Sequence, residues 1–221
     1  MDLGLRDARV LVIGASRGLG FSTAQILAEE GAKVYINGRD EERLKAAAEK
    51  IYLTTQRDVK VAAGDVTKGE DAKRVVAKAA FEMDGLDVLI TNCGGPPAKK
   101  FEEIDEDLWI QAVELSFMSH VRLIREALPY LRQSDRASVL TVTSYSVKQP
   151  VPDLILSNSI RAATVGLTKS LALELGNEGI RFNSILPGWT KTERVVELLA
   201  YRAKANGTTI EEETRRITKD S

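Results

Sequence analysis

One cysteine and one histidine occur in 221 residues, and their scarcity removes whole classes of chemistry. A lone thiol cannot close an internal disulfide. A lone imidazole with no cysteine cluster lacks the ligand set of a protein metal site, so no metal is expected. An excess of charge of either sign is also missing: 31 basic against 32 acidic side chains leave a net charge of -1. That balance argues against nucleic acid or an anionic membrane as a partner. Uncharged runs stop near a dozen residues, short of the roughly 20 that span a bilayer. The opening stretch MDLGLRDARV carries acids where a signal peptide has a basic and then an apolar segment. A cytoplasmic location is the expectation that follows.

What is present is an ordinary globular composition, 43% apolar and 29% charged, and a length that suits one domain over residues 1–221. Short apolar strands alternate with longer helical patterns. Strands are expected at 8–15, 33–38, 59–66, 86–92, 137–144 and 180–188. Helices are expected at 18–30, 40–51, 68–83, 105–132 and 154–177, with a charged helical tail over 193–217. Such alternation folds as a parallel sheet covered by helices on both faces, with right-handed crossovers. The expected fold class is therefore α/β, a Rossmann-type doubly wound parallel sheet of order 3-2-1-4-5-6. The 191–221 segment is expected to lie over the substrate like a lid.

The strongest motif is the turn VIGASRGLG between the first strand and its helix. Gly14 permits a tight turn, and Gly18 and Gly20 let backbone and ligand approach closely. The helix behind them offers unpaired N–H groups to a pyrophosphate. Ser16, Arg17 and Leu19 lie between these glycines and are assigned to the same site. A strand before and a helix after is the context such a triad requires.

The spacing Gly-x-x-x-Gly-x-Gly resembles that of the short-chain dehydrogenase/reductase family, in particular its 3-oxoacyl-ACP-reductase-like members. Further motifs follow in the family's order over essentially the whole chain. GDV at 64–66 resembles the family's adenine-binding acid, here Asp65, with Val66 beside it. NCGG at 92–95 is similar to its Asn-Ala-Gly motif and supplies Asn92 and Gly94. VTSYS at 142–146 places Ser144 at the family's catalytic serine. RFNSILPGWTKT at 181–192 is similar to the segment that meets the nicotinamide and pyrophosphate, with Pro187, Gly188, Thr190 and Thr192.

The resemblance implies a tyrosine and a lysine four residues apart on the helix LSNSIRAATVGLTKSLALEL. At those places stand Ser157 and Arg161. The asparagine that the family carries on the preceding long helix corresponds to Ser116. The expected catalytic set is thus Ser144, Ser157, Arg161 and Ser116, and Arg161 also counts as a cofactor ligand. A serine hydroxyl is far less acidic than a phenol, and arginine keeps its proton at neutral pH. The ordinary alcohol–ketone mechanism is therefore altered, and a second reading stands beside it: a catalytically silent nucleotide-binding relative that senses cofactor or partners an active enzyme. Tyr145, next to Ser144, is expected to face away, because consecutive residues of a strand alternate.

Cofactor choice is read at the end of the second strand. An acid there favours NAD, but the sequence is Asn37-Gly38-Arg39. With Arg17 nearby, Arg39 suits a 2′-phosphate, so NADP(H) is expected over NAD(H). Asp40 is the rival, as a carboxylate able to hold a hydroxyl. Cys93, His120 and Trp109 are expected to be packing residues. The expected substrate is a small carbonyl, alcohol or imine. The resemblance also implies a homodimer or homotetramer through the 105–132 and 154–177 helices. It further implies a final helix and seventh strand that are not in these 221 residues.

Overall fold

A computed structural model describes residues 3–219. Six strands form one parallel sheet: β1 (Arg9–Val12), β2 (Lys33–Gly38), β3 (Val59–Ala63), β4 (Val88–Thr91), β5 (Ser138–Val142) and β6 (Arg181–Ile185). Their order is β3-β2-β1-β4-β5-β6, as expected. Val10 of β1 stands opposite Val34 of β2 on one side and Val88 of β4 on the other. The central strand is buried on both faces, which is why it reads as an unbroken apolar run.

Alternation along β1 sorts the core into two layers. Val10 and Val12 face one layer with Val34, Ile36 and Leu44, under helices α1 (Gly18–Glu29) and α2 (Glu41–Thr55). Leu11 and Ile13 face the other with Leu89, Leu123 and Val139. That second layer is covered by α3 (Gly69–Met83), α5 (Ser119–Leu131) and α6 (Ile155–Leu175). Each such side chain, fully buried, contributes roughly 1.5–3 kcal/mol. Arg9 and Asp87 clamp the opposite end of the sheet from the glycine turn. Arg9 Nη2 reaches Asp87 Oδ1 at 2.6 Å, and Arg9 Nε reaches Oδ2 at 3.0 Å. Burial alone would raise the Asp87 carboxyl, but the Arg9 bonds overcome it and hold the group at about 2.

Three expectations are corrected. The 105–132 helix is not continuous: α4 (Glu106–Val113) and α5 are separated by a π turn over Glu114–Met118. The charged tail is two helices, α7 (Glu193–Asn206) and α8 (Ile210–Lys219), because Gly207 takes a left-handed φ of 63°. All the strands but β2, which spans the expected 33–38, are shorter than read, since residues at their C-terminal ends leave the sheet to line a cleft. Asp220 and Ser221, at the end of the segment expected to act as a lid, lie outside the described residues. No helix among the described residues is long and apolar enough to cross a membrane.

Candidate functional site

The chain winds outward from β1 to β3 and then crosses to β4. The loops after β1 and β4 therefore diverge, and a crevice opens between them at the strand ends. An open cleft of about 600 Å³ occupies that place. One wall is the glycine turn. Gly14 has φ 62°, and a Cβ there would lie 2.1 Å from the Asn92 carbonyl oxygen. A Cβ on Gly20 would lie 2.4 Å from the Gly14 carbonyl oxygen. Neither site tolerates a side chain, so the turn presses against the β4 loop, and Asn92 Nδ2 donates to the Gly14 carbonyl at 3.0 Å.

Helix α1 begins differently from α2, α3 and α4. The first turns of α2, α3 and α4 carry acids, and Asp40 and Asp105 cap α2 and α4. The first turn of α1 has no acid and no side-chain cap. Its N–H groups and positive dipole end are left for an external anion. This is the local chemistry a dinucleotide pyrophosphate needs, so the residues present fit a nicotinamide cofactor.

Most of the expected site converges here. Ser16, Arg17, Gly18, Leu19, Arg39, Asp65, Val66 and Gly94 line the cleft with Gly14 and Asn92. Pro187, Gly188, Thr190 and Thr192 form its roof, and Ser144, Ser157 and Arg161 its floor. Asp65 Oδ1 accepts from the Thr67 N–H at 3.1 Å and the Thr67 hydroxyl at 2.8 Å, so it also shapes its own turn. Two expected residues stay outside the lining. Gly20 acts through the close approach just described. Ser116 is fully buried within the π turn, its Oγ without a hydrogen-bond partner, while Leu115 beside it lines the cleft. Ser116 thus lies behind the lining, although the resemblance counts its position in the catalytic set.

Other lining residues were not foreseen. Tyr145 lines the cleft after all, because β5 ends at Val142 and residues 145–147 form a 3₁₀ turn in which strand alternation no longer holds. Trp189 and Arg194 enter from the β6–α7 connection. Trp189 sits under the Arg202 guanidinium, 5.2 Å from the ring centroid.

Arg161 is the most unusual group in the cleft. It is only 7% exposed, yet no carboxylate pairs with it among the described residues. Its Nε donates to Ser157 Oγ at 3.1 Å, Nη1 to the Val142 and Thr143 carbonyls at 3.3 Å each, and Nη2 to the Gly94 carbonyl at 3.4 Å. Burial, and then the nearby Arg194 charge, push its pKa below the ordinary value. Ser144 Oγ accepts from the Ser146 N–H at 3.2 Å. Both serine oxygens thus accept a bond from the protein, and their protons remain available to a ligand oxygen.

The residues expected to be packing residues behave so. Cys93 is buried against Ser119 Oγ at 3.1 Å, and burial raises its thiol pKa. His120 is fully buried, with Nδ1 2.7 Å from Thr91 Oγ1. Trp109 packs against the small cluster of Ala112, Leu156 and Ile160. No group of three or more potential metal ligands occurs among the described residues.

The sequence and the fold are similar to those of known proteins. The family model described as short chain dehydrogenase matches residues 8–202. A glucose 1-dehydrogenase of Gluconobacter oxydans is 35% identical over 182 residues, 81% of this chain and 68% of that protein. An uncharacterized oxidoreductase of Bacillus subtilis is 31% identical over 207 residues, 94% of this chain and 78% of that protein. The crystal structure of L-sorbose reductase from Gluconobacter frateurii, complexed with NADPH and L-sorbose, superimposes with a TM-score of 0.92. That match is at 27% identity and covers all of this chain and 84% of the other. With its order of strands, its glycine turn and these matches, the chain belongs to the short-chain dehydrogenase/reductase family of oxidoreductases.

Proposed function

We propose that this chain binds NADP(H) in preference to NAD(H) and uses it to interconvert a small carbonyl compound or imine with its reduced form, through Ser144, Ser157 and Arg161. The observation that carries the reading is the buried Arg161 guanidinium, bonded to Ser157 at the floor of the cleft whose far wall is the glycine turn. When bound, the cofactor supplies or takes up a hydride. The chain's own residues handle the oxygen. Ser144 and Ser157 donate their free protons to the substrate oxygen, and the Arg161 charge stabilises negative charge that develops there. Arginine does not release its proton at neutral pH, so the proton that ends on oxygen comes from water passed along a serine hydroxyl. Tyr145, in the same cleft, is a second possible donor.

The preference for the phosphorylated cofactor rests on what surrounds the end of β2. Asn37 has no amide N–H to spare for a ribose, because its Nδ2 is spent on the Ala62 carbonyl at 2.8 Å and the Gly64 carbonyl at 3.2 Å. Asp40, the rival for a ribose hydroxyl, is committed to its own helix. Its carboxylate accepts from the Arg43 N–H at 3.1 Å and pairs with Arg43 Nε at 3.4 Å. Arg17 and Arg39 both line the cleft, and Arg39 follows this strand end directly. NADPH in the sorbose reductase complex is consistent with the same choice.

Fluorescence titration of NADPH and NADH tests this reading. NADPH binds more tightly, and Arg39→Asp weakens NADPH roughly tenfold or more while changing NADH little, as loss of a charge-assisted bond implies. Equal or tighter binding of NADH by the natural protein contradicts the preference. Binding of neither removes the cofactor reading altogether.

A further inference from the structure

The Arg161 guanidinium has no counter-charge of its own among the described residues. All four of its hydrogen bonds go to neutral oxygens, and only 7% of the residue meets solvent. A buried cation with no counter-charge is costly unless a ligand supplies one. A second guanidinium stands close by. A Cβ built on Gly95 would lie 3.4 Å from Arg194 Nε and Nη2 and 3.6 Å from Arg161 Nη2, so both arginines flank the same glycine. Arg194 donates to the Pro96 carbonyl, which fixes it over the 93–97 loop. Among the described residues the only carboxylate paired with Arg194 is Glu197, at 3.7 Å, and Glu197 is shared with Arg17 at 3.5 Å. The other acids of the lining act elsewhere: Asp65 holds Thr67, and Glu193 Oε2 lies 3.9 Å from a Cβ built on Gly18, at the phosphate turn. Around Gly95, positive charge is in excess. The lining of the same cleft also includes the apolar side chains of Val151, Leu154, Trp189 and Leu198.

We infer that Arg161 and Arg194 together hold a carboxylate of the substrate, which makes the substrate class a small oxo acid with a short apolar chain, or the hydroxy acid formed from it. The inference rests on the proposed nicotinamide reaction for its chemistry, and on the two arginines for its anion. Guanidinium forks match a carboxylate in planarity and spacing, which a single lysine does not. In the reaction the carbonyl carbon gains the hydride, the C=O π pair becomes the O–H bond with a proton from water, and NADPH becomes NADP⁺. The carboxylate is unchanged and serves as the handle that orients the neighbouring carbonyl.

Calorimetric titration of 2-oxobutyrate and of its methyl ester tests the inference without needing turnover, on protein with and without saturating NADPH. The acid binds roughly tenfold or more tightly than the ester. Arg194→Leu removes that preference while NADPH affinity stays within about twofold, as follows if Arg194 serves the substrate and not the pyrophosphate. Gly95→Ala is the second variant: it keeps every charge but sets a methyl group against both guanidinium groups, and it weakens the acid more than the ester. Equal binding of acid and ester overturns the inference. So does a loss of NADPH affinity in Arg194→Leu as large as the loss of acid affinity. If NADPH itself fails to bind, the cofactor reading falls, and the titration without NADPH still decides whether the arginines select the acid.

Discussion

Combining Ser157→Tyr, Arg161→Lys and Ser116→Asn raises NADPH-dependent reduction of a generic activated ketone by roughly 10²–10⁴-fold, the usual worth of positioned acid–base catalysis. Ser157 lines the cleft, so a tyrosine there projects into the space where a substrate oxygen is handled. Lysine at 161 keeps a charge beside the Val142, Thr143 and Gly94 carbonyls that now take the guanidinium bonds. Either cation can lower the phenol pKa, but the ammonium can also exchange its protons, which arginine cannot. Ser157→Tyr alone gains less, because Arg161 remains a donor that keeps its protons. The Ser116 change acts behind the cleft. There a fully buried hydroxyl lacks a partner, and an amide could hold a relay water in its stead. The same triple variant loses discrimination between an oxo acid and its ester, since the fork at 161 is gone. Retained NADPH binding with no gain in rate would show that the cleft does not present a ketone to the 157 position.

Acidification from about pH 7 to about pH 5 costs this protein about 2 kcal/mol through one residue, and His120→Gln removes that share. Burial first, and the Arg161 charge second, push the His120 pKa down from 6.5 to about 3. The unfolded chain titrates at the ordinary value. Between about 6.5 and about 3, then, the unfolded state binds a proton that the folded state refuses. Stability is undiminished above that window and falls as pH drops through it. The folded site cannot accept the proton because Nδ1 is tied to Thr91 Oγ1 at 2.7 Å and Nε2 is buried without a partner. His120 is the only histidine, so no other imidazole titrates in this range. Urea midpoints at the two pH values for both proteins measure the effect. Identical pH dependence in the two would contradict it.

The sheet and its order were legible because each strand is an apolar run bounded by turn residues, and each connection is long enough for one helix. The glycine turn was legible because strand, turn and helix are contiguous. What failed to show in sequence has physical causes. The π turn at Glu114–Met118 inserts without breaking the run of helix-forming residues, so 105–132 reads as a single helix. The break at Gly207 did leave a trace, an Asn-Gly pair, masked by the charged helical pattern on both sides. Tyr145 reads as facing away only when alternation is carried past the end of β5 at Val142, into a 3₁₀ turn where it no longer applies. Arg194 could not be foreseen from local pattern: its anchor, Pro96, is 98 residues away in the chain. Asp40 illustrates the reverse case. Its position three residues before the Arg43 N–H is an N-cap signature, and reading it so would have settled its role early.

The central claim is that the serine–arginine set performs nicotinamide chemistry. It is tested most directly by following NADPH absorbance with the natural protein and with Arg161→Met, over a panel of small oxo acids and their esters. The account predicts oxidation of NADPH matched by formation of the hydroxy acid, lost in Arg161→Met while the protein stays folded. Bound NADPH that the natural protein never oxidises with any member of the panel would contradict it and leave a silent nucleotide-binding relative.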